Sequence, residues 1–158
     1  MTRIQLILLA AGGSLALLAG AFLFQTLGYA PCKMCLWQRW PHAVAIAAGA
    51  LAVVIAPRVF AVIGGLAALT TAGIGIYHTG VERGWWEGPS SCTGDAGGLS
   101  GMDSSALLPG ADVDPVVLCD EVVWELFGLS MASWNASLSL ALAVIWFIAA
   151  TTRSQPSA

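Results

Sequence analysis

Long apolar stretches separated by short polar breaks dominate the pattern of this chain. Four blocks stand out, at about residues 6–24, 43–56, 59–77 and 127–150. A helix needs about 20 apolar residues to cross a bilayer, and the first, third and fourth blocks have about that length. The second block reaches it if the preceding "LWQRWPH" continues the helix at the interface, and Pro57 and Arg58 separate it from the third. This pattern predicts four transmembrane helices with both termini on one side.

Composition agrees with this pattern. The chain of 158 residues is 58% hydrophobic and 9% charged, whereas a soluble domain has about 25% charged residues. We therefore predict an all-α membrane protein, a four-helix bundle forming a single domain over residues 1–158. Its spans are expected at about residues 5–25, 40–56, 59–78 and 130–150, and its two loops at about 28–39 and 79–129.

The first block is interpreted as a span, although Arg3 before it also suits a signal peptide. The block is longer than the core of about 7–15 residues of such a peptide, and no small-residue cleavage site follows it. Basic residues do not decide the orientation, because three flank each face: Arg3, Arg58 and Arg153 against Lys33, Arg39 and Arg83.

The second loop changes character midway. Residues 88–112 are rich in Gly, Ser, Asp and Pro, a composition that buries little apolar surface. The next segment, "DPVVLCDEVVWELFGLS", offers Asp114 as an N-cap, Pro115 at the first helical position and Gly128 at the end. Because its apolar residues recur at helical spacing, we predict a short amphipathic helix in the membrane interface, anchored by Trp124.

The four cysteines all fall in these loops: Cys32, Cys35, Cys92 and Cys119. Three interpretations are open. Zinc is disfavoured because only the first pair has compact ligand spacing. Structural disulfides could staple the second loop, but a Cys-x-x-Cys bridge closes a loop too small to restrict the unfolded chain much. Redox catalysis is favoured, because a Cys-x-x-Cys pair lowers a thiol's pKa and is easily cycled.

The residues around the first pair strengthen the redox interpretation. Pro31 suits a helix start, which places Cys32 and Cys35 in a first turn where the helix dipole favours a thiolate. Arg39, four residues after Cys35, lies on the same helix face. In lipid its guanidinium must find an anion or an acceptor, unless it reaches out to the headgroups.

A thiol relay also needs an electron acceptor. The sequence has no haem motif, no iron–sulfur cysteine set and no Gly-rich dinucleotide loop. A lipid-soluble quinone is the acceptor open to thiols at the membrane boundary. Arg39 would stabilise negative charge on a ring oxygen, and His78, at the end of the third span, would donate a hydrogen bond or proton. The alternative for His78 is an interfacial residue with no chemical role.

Three stretches, taken together and in this order, resemble one family over nearly the whole chain. They are "PCKMCLWQRWP", "YHTGVERGWWEGPSSC" and "CDEVVWELFGLSMASWN". The chain resembles the DsbB family of bacterial inner-membrane disulfide bond formation proteins. The resemblance implies a thiol:quinone oxidoreductase that reoxidises a periplasmic DsbA-like dithiol oxidase, with ubiquinone or menaquinone as acceptor. It also implies cytoplasmic termini and periplasmic cysteine loops.

The resemblance further implies a division of labour among the site residues. Cys92 and Cys119 oxidise the thioredoxin-fold partner, and Cys92 forms the mixed disulfide. Cys119 then exchanges with Cys32, which leaves Cys35 as the thiolate facing the quinone. Arg39 matches the family's quinone-contacting arginine, and His78 falls where a family histidine near the quinone lies.

Two other functions stay open. One is a non-catalytic four-span scaffold with a disulfide-stapled exported loop. The other is a quinone-linked reductase of the vitamin K epoxide reductase type, which also pairs a four-helix bundle with Cys-x-x-Cys, although the forms known place that motif late in the bundle. We expect no metal site and no nucleic-acid partner, and lipid as the surroundings of the bundle.

Overall fold

The computed structural model describes residues 1–89, 92 and 117–152. This part of the chain contains four α-helices and one small hairpin. The helices are α1 (Arg3–Thr26), α2 (Lys33–Val54), α3 (Pro57–Glu82) and α4 (Met131–Thr151). The antiparallel strands β1 (Glu125–Leu126) and β2 (Leu129–Ser130) lead directly into α4. The expected helical architecture is confirmed.

Three of these helices, α1, α3 and α4, are long and apolar enough to cross a membrane. The chain is thus a multi-pass membrane protein. Helix α2 has span length, at 22 residues, but Gln38, Arg39 and His42 lie in its first half and lower its apolar character. Four spans therefore remain a prediction.

Small residues allow the helices to pack closely. The buried core consists largely of alanine, and it surrounds Trp146, whose side chain is fully buried. A Cβ atom on Gly64 of α3 would lie 2.6 Å from the Trp146 ring, so only glycine admits the ring there. Close packing through small residues is what holds helices together in lipid.

The helix bounds differ from the predicted spans in one useful respect. Helix α2 begins at Lys33, with Cys32 as its N-cap, and α3 continues to Glu82. Pro31 therefore lies just before the cap and not at the first helical position. As a result Cys35, Arg39 and His78 are on helices and have fixed directions.

The predicted interfacial helix is wrong for residues 117–130, which contain no helical segment. Instead, Phe127 and Gly128 both have positive φ angles, of 54° and 73°, and form the two-residue turn between β1 and β2. Two such residues are typical of the turn whose twist matches paired strands. A short apolar pattern rich in valine fits a strand as readily as a helix, which is why periodicity misled here. Asp114 and Pro115 lie outside the described residues.

Candidate functional site

The four cysteines meet in one cluster, at the end of the bundle where α2 begins and α3 ends. Cys32, Cys92 and Cys119 are buried there with Met34 and Val81, and Cys35 packs against them. Cys92 and Cys119 form a disulfide with Cα atoms 5.3 Å apart. The Cys119 N–H also donates to the Cys92 carbonyl at 2.7 Å. Both cysteine pairs named from the sequence are thus brought together.

Cys32 and Cys35 are free thiols whose sulfur atoms lie 2.8 Å apart. The Cys32 sulfur also accepts the backbone N–H of Cys35 at 3.2 Å, as the N-cap of α2. The hydrogen bond from the Cys35 thiol is the largest influence on Cys32; burial opposes it, and His78 reinforces it. Together these effects lower the pKa of Cys32 to about 5. In the reduced pair the negative charge therefore resides on Cys32, whereas the family resemblance assigns a thiolate to Cys35.

An apolar cavity of about 360 Å³ adjoins this cluster. It lies between α1, the first half of α2, the start of α4 and residues 123–126. Aromatic side chains form much of its wall, namely Phe24, Tyr29, Trp124 and Trp134. Trp124, predicted as an interfacial anchor, packs edge-on against Phe24 with ring centroids 5.1 Å apart. Thiol, amide, guanidinium and imidazole groups also contribute to the lining, from Cys35, Gln38, Arg39, His42 and Asn135.

Arg39 lies along the wall of this cavity, on the same side as Cys35. Its Nη1 donates to the Gln25 side chain at 2.8 Å, and its Nη2 to the Ala21 carbonyl at 3.4 Å. The guanidinium also lies 4.7 Å from the centre of the Phe22 ring. Its Nε is buried and has no hydrogen-bond partner among the described residues. Helix α1 therefore fixes the position of the cation, and the Nε donor is left without a partner in this part of the chain.

His78 lies beside the thiol pair and is not among the residues that line the larger cavity. Its Nε2 lies 3.5 Å from the Cys32 sulfur and 3.8 Å from a Glu82 oxygen. With Cys32 and Glu82 it lines a much smaller space of about 20 Å³. Glu82 in turn accepts a hydrogen bond from the Ser130 hydroxyl at the start of α4. In this arrangement His78 acts on the thiol pair, and Gln38 stands between it and the larger cavity.

Sequence reasoning missed a buried polar chain that continues from His78. Gln38 contacts His78 Nδ1 at 3.0 Å and Asn135 at 2.7 Å, and Asn135 contacts His42 at 2.8 Å. Thr71 also bonds to Asn135. The signal was present, because polar residues inside apolar helices are costly and tend to be functional.

Cys32, Cys35 and His78 could also form part of a metal site, since their ligand atoms lie within 4.8 Å of one another. Two thiolates on one tetrahedral zinc would be about 3.8 Å apart, given Zn–S bonds of about 2.3 Å. The observed 2.8 Å is much shorter. This spacing suits a dithiol that shares a proton better than it suits a metal.

Fold and site together define a class: a multi-pass helical membrane protein whose two cysteine pairs meet beside an apolar cavity. Residues 3–149 match the family described as "Disulfide bond formation protein DsbB". The chain belongs to the DsbB family, a family of disulfide-forming oxidoreductases, as its resemblance indicated.

Two curated relatives have matching names. Disulfide bond formation protein B 2 of Pseudomonas aeruginosa strain PAO1 is 35% identical over 136 residues, which is 82% of this chain and 79% of that protein. Disulfide bond formation protein B 1 of strain UCBPP-PA14 gives the same values. No solved structure matches the chain.

Proposed function

We propose that this protein is a membrane thiol:quinone oxidoreductase that reoxidises a periplasmic DsbA-like dithiol protein. One observation carries the proposal. The Cys35 sulfur lies 2.8 Å from Cys32 and at the same time lines the apolar cavity beside Arg39. On this proposal Cys35 passes electrons from the cysteine cluster to a ligand held in the cavity.

The cavity suits a quinone ring. Its volume of about 360 Å³ falls within the usual range for a small-molecule pocket, about 300–1,000 Å³. Apolar and aromatic walls suit the ring. The Arg39 guanidinium in the lining, whose Nε has no hydrogen-bond partner among the described residues, is a donor for a carbonyl oxygen. Arg39, Cys35 and the aromatic side chains would hold the quinone. When bound, a quinone would accept two electrons from Cys32 and Cys35 together with two protons, and the loss of those electrons restores the Cys32–Cys35 disulfide.

The thiol steps follow from the cysteine cluster, starting with both pairs oxidised. A partner thiolate attacks Cys92, which forms a mixed disulfide and releases Cys119 as a thiolate. The second partner thiol resolves the mixed disulfide and leaves oxidised with its own pair, and Cys92 keeps the proton. Cys119 attacks Cys32, forms a Cys119–Cys32 disulfide and releases Cys35 as a thiolate at the cavity. Cys92 then loses its proton to the Cys35 sulfur and attacks Cys119, which regenerates the first disulfide and returns Cys32 as a thiolate. His78, at 3.5 Å, donates a hydrogen bond to that Cys32 sulfur.

The energetics require an acceptor stronger than a dithiol. The potential known for DsbA itself is about −120 mV, and ordinary dithiol proteins lie about 60–150 mV lower. Because 30 mV corresponds to about 1.4 kcal/mol for two electrons, a plain cysteine pair would oxidise such a partner at a cost of about 3–7 kcal/mol. An acceptor such as ubiquinone or menaquinone supplies that difference. On this proposal the cysteine cluster faces the periplasm and the bundle lies in the inner membrane.

The test uses the purified protein in nanodiscs with a reduced thioredoxin-fold partner and ubiquinone-1. Two partner thiols should disappear for each quinone reduced. The Cys35→Ser variant should lose quinone reduction but still form the mixed disulfide with the partner. A scaffold would consume neither thiol nor quinone. Wild-type protein that fails to oxidise the partner thiols, or fails to reduce the quinone, would refute the proposal. A reductase would run from quinol to oxidised partner, so that direction is assayed in parallel.

A further inference from the structure

His42 is a buried cavity residue that the proposed mechanism does not use. It lies on α2 one turn after Gln38, is 3% exposed and lines the apolar cavity. Its Nε2 contacts Asn135 Oδ1 at 2.8 Å. Its Nδ1 is buried and has no hydrogen-bond partner among the described residues. What His42 can bind depends on which ring nitrogen carries the proton.

Thr71 gives one answer to that question. Its hydroxyl donates to the Gln38 backbone carbonyl at 3.1 Å, and a carbonyl can only accept. The single hydroxyl proton of Thr71 is thereby used. Its contact with Asn135 Nδ2 at 3.1 Å must then run from the amide to the hydroxyl oxygen. This fixes the amide orientation of Asn135, with its oxygen toward His42.

Gln38 gives the same answer independently. Its Nε2 donates to the Met34 backbone carbonyl at 3.3 Å, so its side-chain oxygen faces the other way. That oxygen accepts from Asn135 Nδ2 at 2.7 Å. Asn135 again presents its oxygen to His42, so His42 Nε2 must be the donor. In neutral His42, Nδ1 therefore bears a lone pair and is an acceptor.

The charges around the cavity favour that neutral form. Among the described residues that line the cavity, Arg39 carries a formal charge and none has a carboxylate. Arg39 lies three residues before His42 on α2. A second cation in an apolar space would be repelled by the first. Arg39 thus supplies donors to the cavity and His42 supplies an acceptor.

We propose that His42 is a binding residue for the reduced form of the cavity ligand, through a hydrogen bond from a ligand hydroxyl to Nδ1. An acceptor cannot pair with the carbonyl oxygen of a quinone, but it pairs with the hydroxyl of a quinol. Arg39, a donor, pairs with the carbonyl. This inference rests on the proposed function, and it assigns discrimination between the two redox forms to a particular atom.

The test compares two substitutions that separate the ring nitrogens. His42→Gln places an amide near the Nε2 position and keeps a donor for Asn135, but it removes the acceptor at Nδ1. His42→Asn, the matched control, places a polar amide near the Nδ1 position and loses the contact with Asn135. Dissociation constants for ubiquinone-1 and ubiquinol-1 are measured anaerobically, with both cysteine pairs oxidised, from quenching of the cavity tryptophans Trp124 and Trp134.

The expected result is selective. His42→Gln should weaken ubiquinol-1 binding about three- to tenfold, the value of one hydrogen bond, and change ubiquinone-1 binding less than twofold. His42→Asn should keep more of the quinol affinity than His42→Gln. Equal losses for both ligands, or no loss, would overturn the inference. Wild-type protein that binds neither ligand would instead overturn the proposed function.

A second measurement needs no substitution at His42. Nitrogen NMR of ¹⁵N-histidine-labelled wild type observes two side chains, because the chain has two histidines. Ubiquinol-1 should shift the Nδ1 resonance of His42 and ubiquinone-1 should not, with a His78→Gln sample giving the assignment. An unmoved His42 resonance with saturating quinol contradicts the proposal even if both His42 variants fail to fold.

Discussion

The Cys35 thiol gives Cys32 its unusual acidity, because the S–H group donates to the neighbouring sulfur and stabilises its anion. Burial works against this effect, and the hydrogen bond and charge of His78 work with it. A thiol with a pKa of about 5 is a thiolate throughout the neutral range. It is therefore both a ready nucleophile and a good leaving group when its disulfide is attacked.

We predict a thiolate titration with a midpoint near pH 5 in the reduced protein. The sample is the Cys92→Ser, Cys119→Ser double variant, in which Cys32 and Cys35 are the remaining thiols. The measurement is the thiolate absorbance at 240 nm. Lowering the pH through 5 should remove the signal. Cys35→Ala in the same background should move the midpoint up, because the largest stabilising contact is lost. A first midpoint near 9 with Cys35 present would contradict this prediction.

Arg39 is held by α1 and lines the cavity, and its Nε has no hydrogen-bond partner in the described part of the chain. Its removal should therefore weaken quinone binding and leave the reaction with the partner protein unchanged. We predict that Arg39→Ala raises KM for ubiquinone-1 about tenfold or more, as for loss of a hydrogen bond from a charged group. Single-turnover oxidation of the partner by the Cys92–Cys119 disulfide should stay unchanged. Arg58→Ala is the control, since Arg58 is exposed at the opposite end of α3. An unchanged KM in Arg39→Ala would remove Arg39 from the site.

Single residues also show what sequence reasoning could and could not find. The four cysteines and Arg39 stand out because thiols and a permanent charge are conspicuous in an apolar chain. The roles of Gln38, His42 and Asn135 depend on contacts between α2 and α4, across 97 residues in the case of Gln38 and Asn135. His78 could be placed near the site from its position, but only its neighbours show that it faces Cys32.

At the scale of elements, helices α3 and α4 are held together by the fit of Trp146 over Gly64. We predict that Gly64→Ala lowers the apparent Tm in detergent, because a rigid ring 2.6 Å from the new Cβ cannot move aside. Overpacking of this kind typically costs about 1–3 kcal/mol.

Gly73→Ala, on the same helix, is the matched control. Its Cβ would meet no atom within 4 Å, so the Tm should stay the same or rise slightly, since alanine favours helix. An equal decrease in Tm in the two variants would show that the loss of stability comes from the helix backbone and not from the contact with Trp146.

Elements differ in how well the sequence predicts them. The long apolar blocks predicted the helices well, because a block of that length lies in lipid or against other helices along its whole length. The segment before α4 is too short for its periodicity to distinguish a helix from a strand. Its hairpin depends on a positive φ angle at Phe127, a conformation that a phenylalanine seldom adopts. The extension of α3 to Glu82 places polar residues on a helix where their composition suggested a loop.

At the scale of the whole molecule, the cysteine cluster joins two distant parts of the chain. We predict that Cys119→Ser, mixed with oxidised partner, traps a mixed disulfide between Cys92 and the partner. The free Cys92 thiolate attacks the partner's disulfide, and the Cys119 sulfur that would displace the partner and pair with Cys92 is missing. Mass spectrometry of the trapped complex identifies the linked cysteine. Cys92→Ser is the control and should trap no such complex at position 92. Partner attached to Cys32 in the Cys119→Ser protein would reverse the proposed order of exchange.

The burial of the cysteines has a consequence for selectivity in the cell. Cys32, Cys92 and Cys119 are 3%, 6% and 0% exposed, and Cys35 lines the cavity. Glutathione and other small thiols in the surrounding fluid thus find little sulfur to attack. We expect the oxidising equivalents stored here to be protected from reaction with small thiols and delivered to proteins able to reach the buried Cys92–Cys119 disulfide.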